Sequence, residues 1–241
     1  MLRQAQDKTR AIVLNKAEIW LKDSLDYQFN DSRLLEQSLT HRSASGHNNE
    51  RLEFLGDAVL DFVVSDVVFH SHPQAPEGDL SKLRASLVND ASLAQLSANL
   101  GIGEHLILGS GERKTGGHRR ESILADALEA IFGAVYLDSG FASSRAVIEK
   151  AFGERLRVFP DVEDLRDPKT RLQEWLQARK KRLPDYELIK VSGEAHRQTF
   201  EVRCSVADSD VVTLGTGTTR RNAEQQAAES MLQQLLDGNR K

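Results

Sequence analysis

The sequence predicts an all-α N-terminal domain followed by a small α+β domain whose elements run α-β-β-β-α. Apolar residues recur at helical spacing across residues 11–154, where strand-like alternation is nearly absent. After Pro168 the pattern changes to a short helix, strand-like segments and a final helix. We therefore expect a helical domain at residues 1–157, of which residues 1–12 are an extension. A linker at residues 158–167 and a second domain at residues 168–237 follow it.

Polar and glycine-containing breaks divide the helical domain. The clearest helical patterns cover residues 49–70, 81–99 and 121–137, and the breaks fall at residues 43–48, 72–78, 109–117 and 139–140. The linker contains Pro160 and four acidic residues, a composition typical of an exposed connection.

The second domain follows directly. Residues 169–180 have the pattern of a short helix, and residues 220–236 that of a longer one. Between them, residues 186–191 and 199–206 alternate like strands, and residues 211–215 supply a candidate third strand.

Charge is distributed unevenly along the chain. Of its 32 Lys and Arg residues, 13 lie in residues 167–241, together with 11 of its 36 Asp and Glu residues. The second part therefore carries a net charge of +2, and the remainder carries −6. An acidic region that acts on a polyanion needs cations to mediate the encounter, so this balance favours a bound metal.

Cysteine content and hydropathy indicate the compartment. Cys204 has no second cysteine with which to form an internal disulfide, which favours a reducing cytoplasm. Residues 1–20 mix charged and apolar side chains, unlike a signal peptide. No stretch approaches the roughly 20 apolar residues of a membrane span, so we expect no membrane partner.

The segment NERLEFLGDAVLD, residues 49–61, carries an acidic stripe. On a helix, its four carboxylates fall within about 80° of one another, opposite the apolar side chains. These four carboxylates belong to Glu50, Glu53, Asp57 and Asp61. Asn48 or Asn49 can cap this helix.

A second carboxylate pair lies in residues 122–135. Asp126 and Glu129 are three residues apart, so they share a helix face, and the segment has no other charge. Neither acidic stripe has the interleaved Lys and Arg that normally balance a solvent face. Gly56 and Gly133 accompany the two stripes, as expected where helices approach closely.

Clustered carboxylates repel unless they share protons or a cation. Oxygen ligands without His or Cys favour Mg²⁺, with Mn²⁺ as a possible substitute, over Zn²⁺. Clustered Mg²⁺ sites suit phosphodiester cleavage, and nothing in the sequence indicates an organic cofactor.

The run NERLEFLGDAVL, residues 49–60, resembles the hallmark motif of the bacterial ribonuclease III family. The stretches LTHRS (39–43) and GGHRRESILAD (116–126) support this resemblance, which extends over residues 19–236. It implies a metal-dependent endonuclease with a catalytic metal cluster formed by Glu53, Asp57, Asp126 and Glu129. Asp57 and Glu129 match the positions most directly tied to cleavage, and Glu50 matches an acidic position that contacts RNA.

The resemblance also implies a homodimer that holds double-stranded RNA in a valley between two active centres. Each centre would cut one strand, leaving 5′-phosphates, 3′-hydroxyls and short 3′ overhangs. The implied cellular work is processing of ribosomal RNA precursors and structured messages. Phe54 matches an aromatic position at the dimer contact, and its alternative interpretation is a plain core residue.

Residues 168–237 resemble a double-stranded-RNA-binding domain, through DPKTRLQEW (167–175), GEAH (193–196) and GTGTTRR (215–221). Thr218 or Thr219 can cap the last helix and leave its free N–H groups for a phosphate, beside Arg220 and Arg221. Gln173 and His196 would enter successive minor grooves. Asn222 and Glu224 follow where relatives often carry lysines, which predicts a thinner phosphate-binding patch.

Alternatives remain open at this point. A duplex-RNA-binding regulator that does not cut would use the same domains, although it would gain from losing the clustered carboxylates. A metal-dependent DNA endonuclease is disfavoured by a module that needs 2′-hydroxyls. The basic residues near 113–120 form either a solvated loop or a phosphate-tracking loop.

Overall fold

The structure is a computed structural model that describes residues 2–161, 165–194, 197–207 and 211–238, with side chains from residue 14 onward. The chain forms two compact units, Met1–Pro160 and Asp161–Lys241. The first is helical and the second contains a sheet, which confirms the predicted fold class.

The first unit is built from seven α-helices in the described residues. They are α1 (Leu2–Leu25), α2 (Ser32–Ser38), α3 (Glu50–Ser71), α4 (Glu77–Val88), α5 (Asp90–Leu100), α6 (Ser110–Lys114) and α7 (Glu121–Phe152). Short 3₁₀ turns cover Ile102–Glu104, Gly117–Arg119 and Gly153–Leu156.

The helix expected at residues 81–99 is two helices, α4 and α5. Asn89 separates them with an extended backbone (φ −70°, ψ 156°), and its side chain accepts a hydrogen bond of 3.0 Å from the N–H of Ser92. The apolar periodicity continues through this break, with no Gly or Pro to mark it. The break expected at residues 139–140 is a kink, because Gly140 has φ 79° and ψ −176° inside α7.

Helices α3 and α7 pack with their backbones in contact. A Cβ atom added to Gly56 would lie 1.8 Å from the Glu129 carbonyl oxygen, and one added to Gly133 would lie 2.2 Å from that of Leu52. Both glycines are therefore required by the close approach, as their positions beside the acidic stripes predicted. The helices are held together by fully buried side chains, including Leu60, Val63, Leu128, Ile131 and Phe132.

The second unit places two helices against an antiparallel sheet. The elements are α8 (Pro168–Ala178), β1 (Asp185–Ser192), β2 (Thr199–Ser205), β3 (Val212–Gly217) and α9 (Arg220–Gly238). The strand order is β1-β2-β3, with a bulge in β1 between Leu188 and Lys190. Leu172, Cys204 and Met231 lie in the core between the helices and the sheet. Asp167 caps α8, its side chain accepting the backbone N–H of Lys169 at 2.9 Å.

None of the helices that the structure describes is long and apolar enough to cross a membrane.

Candidate functional site

Three of the predicted carboxylates come together where α3 crosses α7. Glu53 of α3 and Asp126 and Glu129 of α7 each offer one carboxylate oxygen, and these oxygens lie within 4.8 Å of one another. The three side chains are half-buried. We call them the carboxylate triplet; its spacing and its all-oxygen donor set fit a divalent cation.

Burial and neighbouring carboxylates raise the pKa values of all three carboxylates of the triplet. The pKa of Glu129 is raised to about 8, first by burial and then by the charges of Asp57, Glu53, Asp126 and Asp90. Burial, followed by neighbouring carboxylates, also raises the pKa of Glu53 and of Asp126. Carboxylates held this close favour either a shared proton or a bound cation.

Asp57 lies outside the triplet, one turn beyond Glu53 on α3. It remains electrostatically coupled, because its charge is the largest carboxylate contribution that raises the pKa of Glu129. The pKa of Asp57 itself is raised by burial and by the charge of Asp61. The structure therefore distinguishes Asp57 by position from the other three members of the predicted cluster.

Asp90, in the first turn of α5, is a fifth acidic residue beside this centre. After burial, the charge of Asp90 is the largest cause that raises the pKa of Asp126, and it also raises the pKa of Glu129. Nothing in the sequence distinguishes Asp90, because an aspartate in the first turn of a helix is ordinary. Only the packing of α5 against α7 reveals its proximity.

Beside the triplet, a polar cleft is lined by Arg42, Glu50, Glu112 and Arg120, among others. Arg42 pairs with Glu50 at 3.4 Å, and Arg120 pairs with Glu112 at 2.7 Å. Glu50 is held further by Asn48, whose side-chain oxygen accepts the Glu50 N–H at 3.1 Å. Asn49 occupies the N-cap position but makes no side-chain cap, and the side-chain bond to the start of α3 comes from Asn48, the residue before it.

Phe54 is 80% exposed on α3, so it is not a core residue in the single chain. Phe62 lies two turns further along the same helix and is also exposed, with its ring edge-on to Phe141 at 5.4 Å. The Phe62 and Phe141 rings line an apolar pocket together with Leu55 and Tyr136. We call this surface the apolar face of α3 and α7.

In the second unit, the expected RNA-contacting residues that the structure describes are exposed: Gln173, Thr218, Arg220 and Arg221. His196 lies outside the described residues. Thr219, rather than Thr218, caps α9, because its hydroxyl accepts the N–H of Asn222 at 3.1 Å.

Acidic side chains pair with cations at the start of α9, where RNA contacts are expected. The Arg220 Nε donates to Glu224 at 2.9 Å, and Lys169 donates to the same carboxylate at 2.7 Å. Arg221 lies 3.8 Å from Asp167. Glu224 therefore neutralises part of the positive charge at the start of α9, in line with the thin phosphate patch expected from the sequence.

Known protein families match both compact units of the chain. Residues 31–156 match the Ribonuclease-III-like family, and residues 168–235 match the double-stranded RNA binding motif. The chain is 54% identical to Ribonuclease 3 of Alkalilimnicola ehrlichii over 217 residues, covering 90% of this chain and 95% of that protein. It is 53% identical to Ribonuclease 3 of Coxiella burnetii, covering 90% and 93%.

Among solved structures, the nuclease domain of ribonuclease III from Campylobacter jejuni superposes with a TM-score of 0.53 and 48% identity, covering 55% of this chain and 96% of that one. The relatives span both compact units, and the solved domain corresponds to about half of the chain. The chain belongs to the ribonuclease III family of endoribonucleases.

Proposed function

We propose that this endoribonuclease cuts double-stranded RNA by Mg²⁺-dependent phosphodiester hydrolysis at the carboxylate triplet. The observation that carries the proposal is the convergence of Glu53, Asp126 and Glu129 within 4.8 Å, with a Glu129 pKa of about 8. Half-buried like charges at this spacing are stabilised by a divalent cation, and oxygen donors favour Mg²⁺ or Mn²⁺. When bound, Mg²⁺ would supply an activated water and positive charge for the departing oxygen.

The acidic residues of the chain have different roles in the proposed reaction. Glu53, Asp126 and Glu129 hold the cation, and Asp57, outside the triplet but coupled to Glu129, completes the metal cluster from the α3 side. We assign the closest catalytic roles to Asp57 and Glu129, the two positions that the family resemblance ties most directly to cleavage, and the Asp57 charge is the largest carboxylate contribution to the raised pKa of Glu129. The products would be 5′-phosphate and 3′-hydroxyl ends with short 3′ overhangs.

Two chains would form the working enzyme. Phe54 is 80% exposed on α3, and an apolar pocket is lined by other side chains of α3 and by Tyr136 and Phe141 of α7. Both are unfavourable in water, and a second copy would bury both. The nuclease domain of the Campylobacter jejuni protein is described as having structural flexibility in a region involved in dimer formation. We therefore place Phe54 at a homodimer contact, which would set two active centres along one duplex.

RNA contacts come from both units. Glu50 lines the cleft beside the triplet, while Gln173, His196, Thr218, Arg220 and Arg221 would contact grooves and phosphates from the second unit. We assign the nuclease domain to residues 1–157, the linker to 158–167 and the RNA-binding domain to 168–237. No organic cofactor is needed for hydrolysis.

The proposed setting is the cytoplasm, where the enzyme would process ribosomal RNA precursors and structured messages. The buried, single Cys204 is compatible with a reducing compartment.

The test is cleavage of an end-labelled perfect RNA duplex in Mg²⁺, comparing the native chain with Glu129→Ala and with Asp23→Asn. Asp23 is exposed on α1 and is not among the charges that shift the pKa of Glu53, Asp126 or Glu129, so its variant controls for loss of one acidic charge. Binding is measured in parallel with Ca²⁺ in place of Mg²⁺, and an equivalent DNA duplex tests the nucleic acid.

We expect the native chain and Asp23→Asn to cut RNA, and Glu129→Ala to bind without cutting. Binding by all three without cleavage would establish the regulator instead. Cleavage of the DNA duplex as fast as the RNA duplex would contradict the proposed substrate.

A further inference from the structure

Four consecutive cations follow helix α8: Arg179, Lys180, Lys181 and Arg182. We call them the basic turn. All four side chains are exposed, and in the part of the chain that the structure describes none of them forms an ion pair. This differs from the start of α9, where Arg220 and Lys169 both contact Glu224. The basic turn is therefore a cluster of four consecutive cations that, within the described residues, no acidic side chain pairs with.

Two cations of the basic turn, Arg179 and Lys181, lie near one aromatic ring, that of Trp175. The Arg179 guanidinium lies over the Trp175 ring, 3.9 Å from its centroid, and donates to the Trp175 carbonyl at 3.3 Å. The Lys181 ammonium lies 5.8 Å from the same centroid. Stacking on one ring limits the freedom of two long side chains, so less entropy is lost when they bind an anion.

The backbone of the turn is strained at Lys180. Its φ is +54°, and the Lys181 N–H reaches back to the Leu176 carbonyl at 2.9 Å, which closes the C-terminus of α8. Helices that end in this way usually place glycine at the left-handed position, because a Cβ atom is disfavoured there. A lysine at this position retains a positive charge at a cost in backbone energy, which indicates a role for that charge.

Helix-dipole stabilisation does not account for this arrangement. Cations near a helix C-terminus interact favourably with its carbonyl groups, but the effect is confined to the last turn. One or two cations satisfy that end, and glycine would close it with less strain. A run of four suits a polyanion whose charges repeat along a backbone.

We propose that the basic turn is a phosphate-contact site for RNA, additional to the contacts expected from Gln173 and from Arg220 and Arg221. Lys180 and Lys181 would contact the RNA backbone without reading sequence, and Arg179 would be positioned by Trp175 for the same purpose. The site would compensate for the positive charge that Glu224 neutralises at the start of α9. This inference rests on the RNA binding in the proposed function.

The site lies at the opposite end of α8 from Arg220 and Arg221. Lys169, which shares Glu224 with Arg220, is in the first turn of α8, and the basic turn begins after its last residue. Along a helix, ten residues span about 15 Å, so the two sites are too far apart to bind the same phosphate group. RNA rather than an anionic membrane is the favoured partner, because the turn is not part of an amphipathic helix and the unit matches an RNA-binding family.

The experiment measures binding of a 30-base-pair RNA duplex, a length chosen at roughly twice the ~16 base pairs that one such module spans. The full chain is used with Ca²⁺ in place of Mg²⁺, over a series of salt concentrations. The test variant is Lys180→Gln with Lys181→Gln. The matched control is Lys22→Gln with Lys150→Gln, which removes the same charge from exposed positions of the first unit.

We expect the test variant to reduce the slope of log affinity against log salt by about 1 to 2, with roughly three- to tenfold weaker binding at moderate salt. The control should match the native chain. If the native chain binds RNA and all three proteins have equal slopes, the proposed phosphate contact at the basic turn is wrong, but the RNA-binding function is not. Lack of binding by the native chain would overturn the RNA-binding function with it.

Two alternatives to RNA binding are tested separately. One is a purely structural role for the basic turn, and the other is a membrane partner. Melting curves of the test variant identify the structural role: a lowered melting temperature with an unchanged slope would overturn the proposal. Vesicles containing anionic lipid are the second probe, and loss of vesicle binding with unchanged RNA binding would contradict the choice of partner.

Discussion

Gly56 of α3 lies against the backbone of Glu129 in α7, so close that a single added carbon would be 1.8 Å from the Glu129 carbonyl oxygen. This contact joins the two helices at the level of the carboxylate triplet. The position of Glu129 relative to Glu53 therefore depends on a residue that has no side chain.

Gly56→Ala should separate α3 from α7, because neither backbone can move without shifting its helix. We expect a loss of stability of about 2 to 4 kcal/mol and a large loss of cleavage in Mg²⁺. Gly78→Ala is the matched control: Gly78 lies in α4 with open space around its Cβ position and should be neutral or slightly stabilising. Thermal melting of both variants checks this, and equal melting temperatures would contradict the close contact.

Stability without metal should depend on pH through Glu129. Its folded pKa of about 8 lies above its ordinary value of 4.5, so its protonated form is favoured in the folded chain. Its stabilising contribution is present below about pH 4.5 and is lost as the pH rises through about 8. In EDTA, the native melting temperature should therefore fall relative to that of Glu129→Gln between about pH 5 and pH 8.

Adding Mg²⁺ at the upper end of this pH range should raise the melting temperature of the native chain more than that of Glu129→Gln. The cation offsets the repulsion between the charged Glu129 and its neighbours, and the amide of the variant does not cause that repulsion. A native chain and a variant with parallel pH profiles would show that Glu129 keeps an ordinary pKa.

Phe54→Ala should produce a monomer. Truncating a side chain that is 80% exposed removes little from the single chain but removes the proposed anchor from the partner's apolar pocket. Sedimentation velocity over a concentration series measures the change, with Ile19→Ala, another exposed apolar residue at 57%, as control. A Phe54→Ala chain that sediments like the native dimer would rule out this contact.

Lys180→Gly should stabilise the second unit while weakening its RNA binding. Glycine adopts φ +54° without the Cβ penalty, for a gain of about 0.5 to 1 kcal/mol. Urea unfolding in a Trp20→Phe background follows Trp175 alone and reports on this unit. A midpoint that falls instead of rising would show that the lysine side chain, rather than the backbone, stabilises the turn.

The sequence predicted the fold class because it follows from local periodicity. The convergence of the two acidic stripes was implied by the resemblance to the ribonuclease III family, since periodicity places carboxylates on a helix face but does not say which helices meet. Gly56 and Gly133 could be placed at a helix crossing since two glycines beside two stripes have few other purposes. Asn89 and Asp90 could not be predicted in the same way. The break before α5 has no Gly or Pro, and the proximity of Asp90 to Asp126 depends on how α5 packs against α7.

The positions of single side chains were harder to predict. The sequence does not distinguish Asp57 from the triplet, because all four carboxylates share their helix faces and only the crossing geometry separates them. The basic turn is visible as a run of four cations, but its contact with Trp175 and the left-handed Lys180 depend on how α8 ends.

Binding of Mn²⁺ to the full chain, followed by electron paramagnetic resonance, tests most directly whether the carboxylate triplet is a metal centre. We predict saturable binding by the native chain and by Asp23→Asn, and binding that is weaker by about tenfold or more in Glu129→Gln, which removes one ligand charge. Equal Mn²⁺ affinity in the native chain and Glu129→Gln would contradict a metal centre at the crossing of α3 and α7.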